Sequence, residues 1–208
     1  MSFHSINNKS QGFTLVEFVV VVTIGVIILA TVIGGQTKYN DMASLKSVAE
    51  DLSLTIRQAQ IYGVSVKGVG TAQTDFTLPY GIFLDSVGST NKYVYYADKN
   101  KNGYFDGNYD CTSDPVGECL SVIPFPRGNK ISSICRMFVD GTETCDVGRA
   151  DATFTRPSTE AKFWLWDNVG YAQIQVTTSM KGIKVNLLSP GGKTKAVTLF
   201  KTGQISIQ

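Results

Sequence analysis

The sequence predicts an α+β fold: one long N-terminal helix followed by an antiparallel β-sheet domain. Three observations predict it. An apolar run extends from Phe13 to Ile33 with a single charge, Glu17. It passes into a pattern of apolar residues at spacings of three and four, which is the period of one helix face. After Gly63 the period changes to two, the period of strands.

The apolar run holds about twenty positions, enough to cross a bilayer and longer than the ~7–15 residues of a secretory signal core. An acid inside such a run costs ~3 kcal/mol or more, so Glu17 is a functional hypothesis by default. Two plainer readings stand beside it. The run can be an ordinary signal or a simple single-pass anchor, with Glu17 reaching to the nearby interface. Charges flanking the run, Lys9 before it and Lys38 after it, give little asymmetry by the positive-inside rule.

Downstream, Met42, Leu45, Ala49, Leu52, Ile56 and Ala59 form an apolar stripe, with Lys46, Glu50, Asp51, Arg57 and Gln58 between them. One helix from about Phe13 to Tyr62 is expected, about 75 Å long at ~1.5 Å per residue. Its first half is apolar all round; its second half is amphipathic and suited to packing on a sheet. Gly34 and Gly35 mark a weak point, since each glycine costs ~1 kcal/mol in a helix.

Strands are expected at Tyr93–Tyr96, Ala172–Val176, Ile183–Leu187 and Ala196–Phe200, with further strands near 76–84 and 151–156. Ser189-Pro-Gly-Gly192 is a turn. Residues 171–207 therefore read as an antiparallel meander, and the middle, 98–150, as loops and short strands. The expected divisions are residues 1–12, 13–35, 36–62 and 63–208. The chain has 208 residues, net charge +2 and only 17% charged residues. After the helix about 145 residues remain, which suits one domain, and no basic run points to nucleic acid.

Four cysteines, Cys111, Cys119, Cys135 and Cys145, include no C-x-x-C pair, so zinc and thioredoxin chemistry are not indicated. An exported domain with an even number of cysteines points to disulfides. The local pairs Cys111–Cys119 and Cys135–Cys145 are favoured; the two crossed pairings and free thiols stay open.

Asp98-Lys-Asn-Lys-Asn-Gly-Tyr-Phe-Asp106 places oxygen side chains at alternate positions before a glycine and an acid. This matches the first nine positions of an EF-hand calcium loop: Asp98, Asn100 and Asn102 by side chain, Tyr104 by carbonyl, and Asp106. The pattern then departs, with Tyr109 where the bidentate acid belongs and Asp110 one residue late. The plainer reading is a polar hairpin held by Asx-type turns. Calcium at Asp98–Asp106 is a candidate cofactor; otherwise none is expected.

Catalysis has little support. The one histidine is His4, ahead of the apolar run, which removes histidine-based triads and histidine–metal sites from the rest of the chain. The acids Asp85, Asp98, Asp106, Asp110, Asp114, Glu118, Asp140, Glu143 and Asp146 mostly sit in turn contexts. Phe163-Trp-Leu-Trp166 alternates, so Phe163 and Leu165 share one face and Trp164 and Trp166 the other. One pair is expected in the core; the other packs or forms an exposed patch.

Gly12 followed by Phe13, with Glu17 four positions after the phenylalanine and the apolar run behind it, resembles the signal of type IV prepilins and type II secretion pseudopilins. The resemblance covers roughly residues 9–35. It implies cleavage after Gly12 by a prepilin peptidase and methylation of the new N-terminus at Phe13. It implies that Glu17 neutralises the amine of a neighbouring subunit during fibre assembly. It also implies a single-pass inner-membrane protein, with its N-terminus in the cytoplasm, its globular domain outside, and no enzymatic activity. The later order is also similar to GspH/FimT-type minor pilins and pseudopilins: a helix, a strand, the acidic glycine loop, Ala152–Pro157, and closing strands with Gly203-Gln-Ile. That branch carries a DNA-uptake hypothesis, but the cations Arg127, Lys130, Arg136, Arg149, Arg156, Lys181, Lys184, Lys193, Lys195 and Lys201 are dispersed. The expected function is a structural minor pilin or pseudopilin, with peptidase, fellow subunits and membrane as partners. Two rivals remain: a membrane-anchored extracytoplasmic binding module outside any fibre, and a carboxylate enzyme.

Overall fold

The computed structural model describes residues 12–65, 77–107, 109, 111, 112 and 117–208, the side chains of 34–38 excepted. The leader before Gly12, the segment 66–76, and Asp110 and Asp114 lie outside the described residues. The chain divides into two compact units, Met1–Asn40 and Asp41–Gln208.

Helix α1 spans Leu15–Val64 and contributes to both units. Its start is capped: the Glu17 N–H donates to Thr14 Oγ1 at 3.2 Å and the Phe18 N–H to the Thr14 carbonyl at 3.1 Å. Thr14-Leu-Val-Glu17 is thus the sequence of a capping box, which satisfies donors a helix start leaves orphaned. In the first unit, Leu15–Ile33 has mean hydropathy 2.8 and none of it is buried. Its hydroxyls are satisfied within the helix, Thr23 donating to the Val19 carbonyl at 2.7 Å and Thr31 to the Ile28 carbonyl at 2.8 Å. A lipid-facing helix needs that, because hydrocarbon offers no partner.

In the second unit α1 buries one stripe, Leu45, Val48, Ala49, Leu52, Ile56 and Ala59. The stripe gains Val48 and loses Met42, which is exposed. These residues join a single core with the inward side chains of the sheet, among them Tyr80, Ile82, Leu84, Tyr93, Ile134, Leu165, Ile183 and Val197. Each fully buried aliphatic side chain contributes ~1.5–3 kcal/mol. Two glycines mark close approaches. A Cβ on Gly63 would sit 2.3 Å from the Phe154 carbonyl oxygen, so α1 passes over the end of a strand where no side chain fits.

The sheet has ten strands: β1 (Tyr80–Asp85), β2 (Lys92–Ala97), β3 (Cys119–Pro124), β4 (Lys130–Phe138), β5 (Glu143–Phe154), β6 (Lys162–Asp167), β7 (Gln173–Ile174), β8 (Met180–Leu188), β9 (Thr194–Phe200) and β10 (Ile205–Ile207). The path runs β10-β9-β8-β4-β5-β1-β2-β3, with β6 on β5 and β7 on β6. All pairs are antiparallel. β5 changes partners midway along one edge, residues 143–147 pairing β4 and 149–154 pairing β1, while 147–153 pair β6. The register shift between Val147 and Arg149 encloses Gly148, whose Cβ position lies 2.5 Å from the Asp167 carbonyl oxygen.

Two expectations are corrected. The middle of the chain, expected as loops and short strands, holds two long ones, the nine-residue β4 and the twelve-residue β5. The closing meander is β8-β9-β10; β7 is two residues long and belongs to β6 instead. The disulfides are Cys111–Cys119 and Cys135–Cys145.

Candidate functional site

At the N-terminus the bond between Gly12 and Phe13 lies ahead of the first helical residue, Leu15. No heavy atom lies within 4 Å of the Cβ position of Gly12, and Phe13 is 78% exposed. The peptide bond therefore stands clear of secondary structure, as a protease substrate must. Glu17 is exposed and occupies the third helical position, where a carboxylate also favours the positive end of the helix dipole. Sequence reasoning did not draw this helix-start role for Glu17, though the Thr14–Glu17 spacing carries its signal.

The second cluster is the loop between β2 and β3. β1 and β2 are buried on both faces. Their outward Phe83, Val94 and Tyr96 form a second core with Phe105 from the loop, and Tyr109, Cys119 and Val122 pack against it. Phe105 meets Phe83 and Tyr96 at ring separations of 5.6 and 5.3 Å. Tyr104 stands edge-on to Trp164 and Trp166, so the loop covers the outward Trp pair while Phe163 and Leu165 lie in the main core.

Within the loop, the Asp98 carboxylate accepts the N–H of Gly103 at 2.8 Å and of Asn102 at 3.1 Å. Asn100 and Asn102 side-chain oxygens accept the N–H two residues on, at 3.1 and 3.0 Å. Both Asn amides donate to one Asp106 oxygen at 2.6 Å. Gly103 has φ +96° and rests against the Trp164 indole, so the turn requires glycine twice over. All five candidate ligands thus sit on one turn, with Asp98 buried and Asp106 exposed.

Sequence reasoning did not connect Glu118 with this loop. It is fully buried, and its carboxylate accepts N–H groups from Lys99 at 3.2 Å and Asp106 at 3.2 Å. Burial raises the pKa of both Asp98 and Glu118 above the ordinary carboxylate range, and the neighbouring acids add to it. Among the described residues, no three acid, histidine or cysteine side chains form a metal cage.

Asp151 and Arg149 on β5 grip the loop by the backbone of one residue, Phe105. Asp151 accepts the Phe105 N–H at 2.9 Å, and Arg149 donates to the Phe105 carbonyl at 2.5 Å. Arg149 Nε also meets Asp151 at 3.1 Å, and the guanidinium lies 4.5 Å from the Trp166 ring centroid. Burial pushes Asp151 up to about 6 despite that partner. Asp85, also buried, accepts the N–H groups of Val87 and Gly88 and the Tyr109 hydroxyl. Several dispersed cations are engaged with acids: Arg136 with Asp146, Arg149 with Asp151 and Lys184 with Glu143.

The prokaryotic N-terminal methylation motif matches residues 7–33. No curated protein and no solved structure matches the chain. The motif, the exposed Gly12–Phe13 bond and the unburied apolar helix coincide in one segment.

Proposed function

We propose that this type IV prepilin-like chain is a minor pilin or pseudopilin of the GspH/FimT type, a structural subunit rather than an enzyme. The observation that carries the reading is the methylation motif at residues 7–33, in register with a free Gly12–Phe13 bond. A prepilin peptidase cuts after Gly12 and methylates Phe13. Before assembly, Leu15–Ile33 holds the subunit in the inner membrane, with the unit from Asp41 onward outside. During assembly Glu17 pairs with the N-terminal amine of a neighbour, which fixes axial register as the helix leaves lipid. The acid is tolerated in lipid because that amine neutralises it.

The test is intact mass and N-terminal sequencing after co-expression with a prepilin peptidase. A chain beginning at methylated Phe13 is expected. A chain still carrying its leader, with the peptidase active on a control, would refute the reading and leave a membrane-anchored binding module.

A second reading concerns the β2–β3 loop, which we propose as a weak calcium site. The observation favouring it is that Asp98, Asn100, Asn102 and Asp106 share one turn with the Glu118 carboxylate buried under the same loop; calcium would have to displace the Asn100 and Asn102 amide N–H groups from Asp106. Affinity in the extracellular range, Kd ~10⁻⁴–10⁻³ M, is expected. Tyr104 between Trp164 and Trp166 makes tryptophan fluorescence the readout. No saturable change with calcium up to about 10 mM, well past that range, would sink it.

A further inference from the structure

The sheet ends at β10, whose one neighbour among the described residues is β9. Ile205 lies opposite Leu199 and Ile207 opposite Val197. The hydrogen bonds to β9 come from the even-numbered residues: Phe200 N–H donates to the Gln204 carbonyl at 2.9 Å, and Gln208 and Ala196 exchange bonds at 2.9 and 3.1 Å. Antiparallel alternation therefore turns the N–H and C=O groups of Ile205 and Ile207 outward. They form an open edge, ready to pair with an added strand.

The flank of α1 beside this edge is apolar where a solvated helix face should be polar. Leu54 and Ile61, two turns apart, are 65% and 55% exposed. A hollow of about 180 Å³ is lined by Leu54, Arg57, Ile205 and Ile207. Arg57 also lines an adjoining hollow of about 590 Å³ with Gln60, Ile61 and Thr159. The rim is fixed, since the Gln60 amide donates to the carbonyls of Thr159 at 3.1 Å and Gly203 at 3.2 Å. Arg57 meets no carboxylate among the described residues; its guanidinium reaches the Gln60 side-chain oxygen at 3.4 Å.

We propose that this groove takes an extended strand of another protein, added to the β10 edge. Its alternate apolar side chains cover Leu54 and Ile61, and one carboxylate meets Arg57. Leu54 and Ile61 stand about 10 Å apart along the helix axis, the reach of about three strand residues. A segment of about five residues therefore spans the groove. This cation, which meets no carboxylate among the described residues, selects the occupant. A second copy added edge to edge through β10 brings no carboxylate in its pairing strand, since residues 204–208 hold no acid; an acid-bearing strand neutralises the charge. The inference does not rest on the fibre reading, because any extended acidic strand satisfies the same groups.

The test uses the full chain in its native membrane, with Leu54 replaced by the photo-crosslinker p-benzoylphenylalanine. The expected adduct maps to one segment of another protein in which apolar residues alternate around an acid. Its yield falls about tenfold, the equivalent of ~1.4 kcal/mol, in Arg57→Glu and again in Ile207→Pro. The proline removes an outward N–H and leaves the β9 ladder intact, and circular dichroism checks that the variant folds. Replacing the partner's acid by lysine restores the adduct to Arg57→Glu. Adducts to a second copy, to residues 66–76 of the same chain or to lipid, yields indifferent to both variants, or no adduct at all would overturn the proposal. The N-terminal mass of the same sample reports processing separately.

Discussion

Replacing Asp151 by asparagine tests the energetics of the β2–β3 loop. Asp151 is fully buried, and its pKa is raised from 3.8 to about 6, burial outweighing the attraction of Arg149. The folded state therefore binds this proton more tightly than the unfolded chain does. Stability from this group is full below the unfolded value of 3.8 and is lost as pH rises through about 6. At ~1.36 kcal/mol per pKa unit the loss is ~3 kcal/mol across that window. Asp151→Asn removes the titration and keeps an oxygen for the Phe105 N–H. Asp98 and Glu118 are raised in the same direction, while Asp140 and Asp167 are lowered, so only the difference between the two proteins isolates Asp151. Urea unfolding of wild type and variant in the same detergent, followed from pH 3.5 to 7.5, is the assay. The variant should gain on the wild type by ~3 kcal/mol between the ends of that range. Parallel curves would refute the claim that Asp151 is buried with its charge poorly compensated.

Glu17→Gln keeps a capping-box residue and removes the charge; the variant should be cleaved and inserted yet assemble poorly, like Glu17→Ala, and fibre incorporation at wild-type level would end the assembly role. Gly63→Ala pushes a methyl to within 2.3 Å of the Phe154 carbonyl and should cost ~1–3 kcal/mol, read as a lowered urea midpoint. Leu52→Ala empties a fully buried position in the main core and should cost ~2–5 kcal/mol; a loss under ~1 kcal/mol would mean that α1 is not docked as described. Replacing Cys111 and Cys119 by serine opens a loop with sequence separation 8 and should cost ~2–3 kcal/mol; once Cys135–Cys145 is reduced in both, variant and wild type should unfold alike.

The long helix was legible because two periodic signals, apolar all round and then one stripe, meet without a break. The strand β8 was legible because it keeps period two against a partly exposed outer face; β9 was legible from its apolar run, although Ala196–Leu199 are all buried. β4, and β5 ahead of the strand expected near 151–156, were not legible, for a physical reason. β5 carries Arg149 and Asp151 on a face that another layer covers, and Gly148 interrupts its register where it changes partners. β4 shifts register between Ile131 and Ser133 against β8, which breaks the alternation that marks a strand. Strands buried on both faces, with charged residues gripping a covering loop, read locally as turns. Glu118 was hidden in the same way: its role depends on a loop twelve or more residues earlier folding back over it.

The four buried acids, Asp85, Asp98, Glu118 and Asp151, are all spent in one manner. Asp98, Glu118 and Asp151 accept backbone N–H groups of the outer loop, and Asp85 accepts those of the turn at Val87 and Gly88 together with the Tyr109 hydroxyl. A polypeptide loop without sheet partners must place its N–H groups somewhere, and carboxylates are the strongest acceptors available for them. This explains why the sequence of the loop imitates a calcium ligand set. Alternate Asp and Asn oxygens before a glycine are what a tight turn needs to satisfy its own amides, and also what a cation needs to be surrounded by oxygen. The two uses differ at the lone pairs left over. Turn closure takes one or two per carboxylate, and an ionised carboxylate offers about four. Burial raises the pKa values of Asp98 and Glu118, and the neighbouring acids add to it. A bound cation would lower both, so in the calcium reading the metal should release protons and bind more weakly as pH falls. A fluorescence titration insensitive to pH between 4 and 7 would separate turn closure from cation binding in favour of the former.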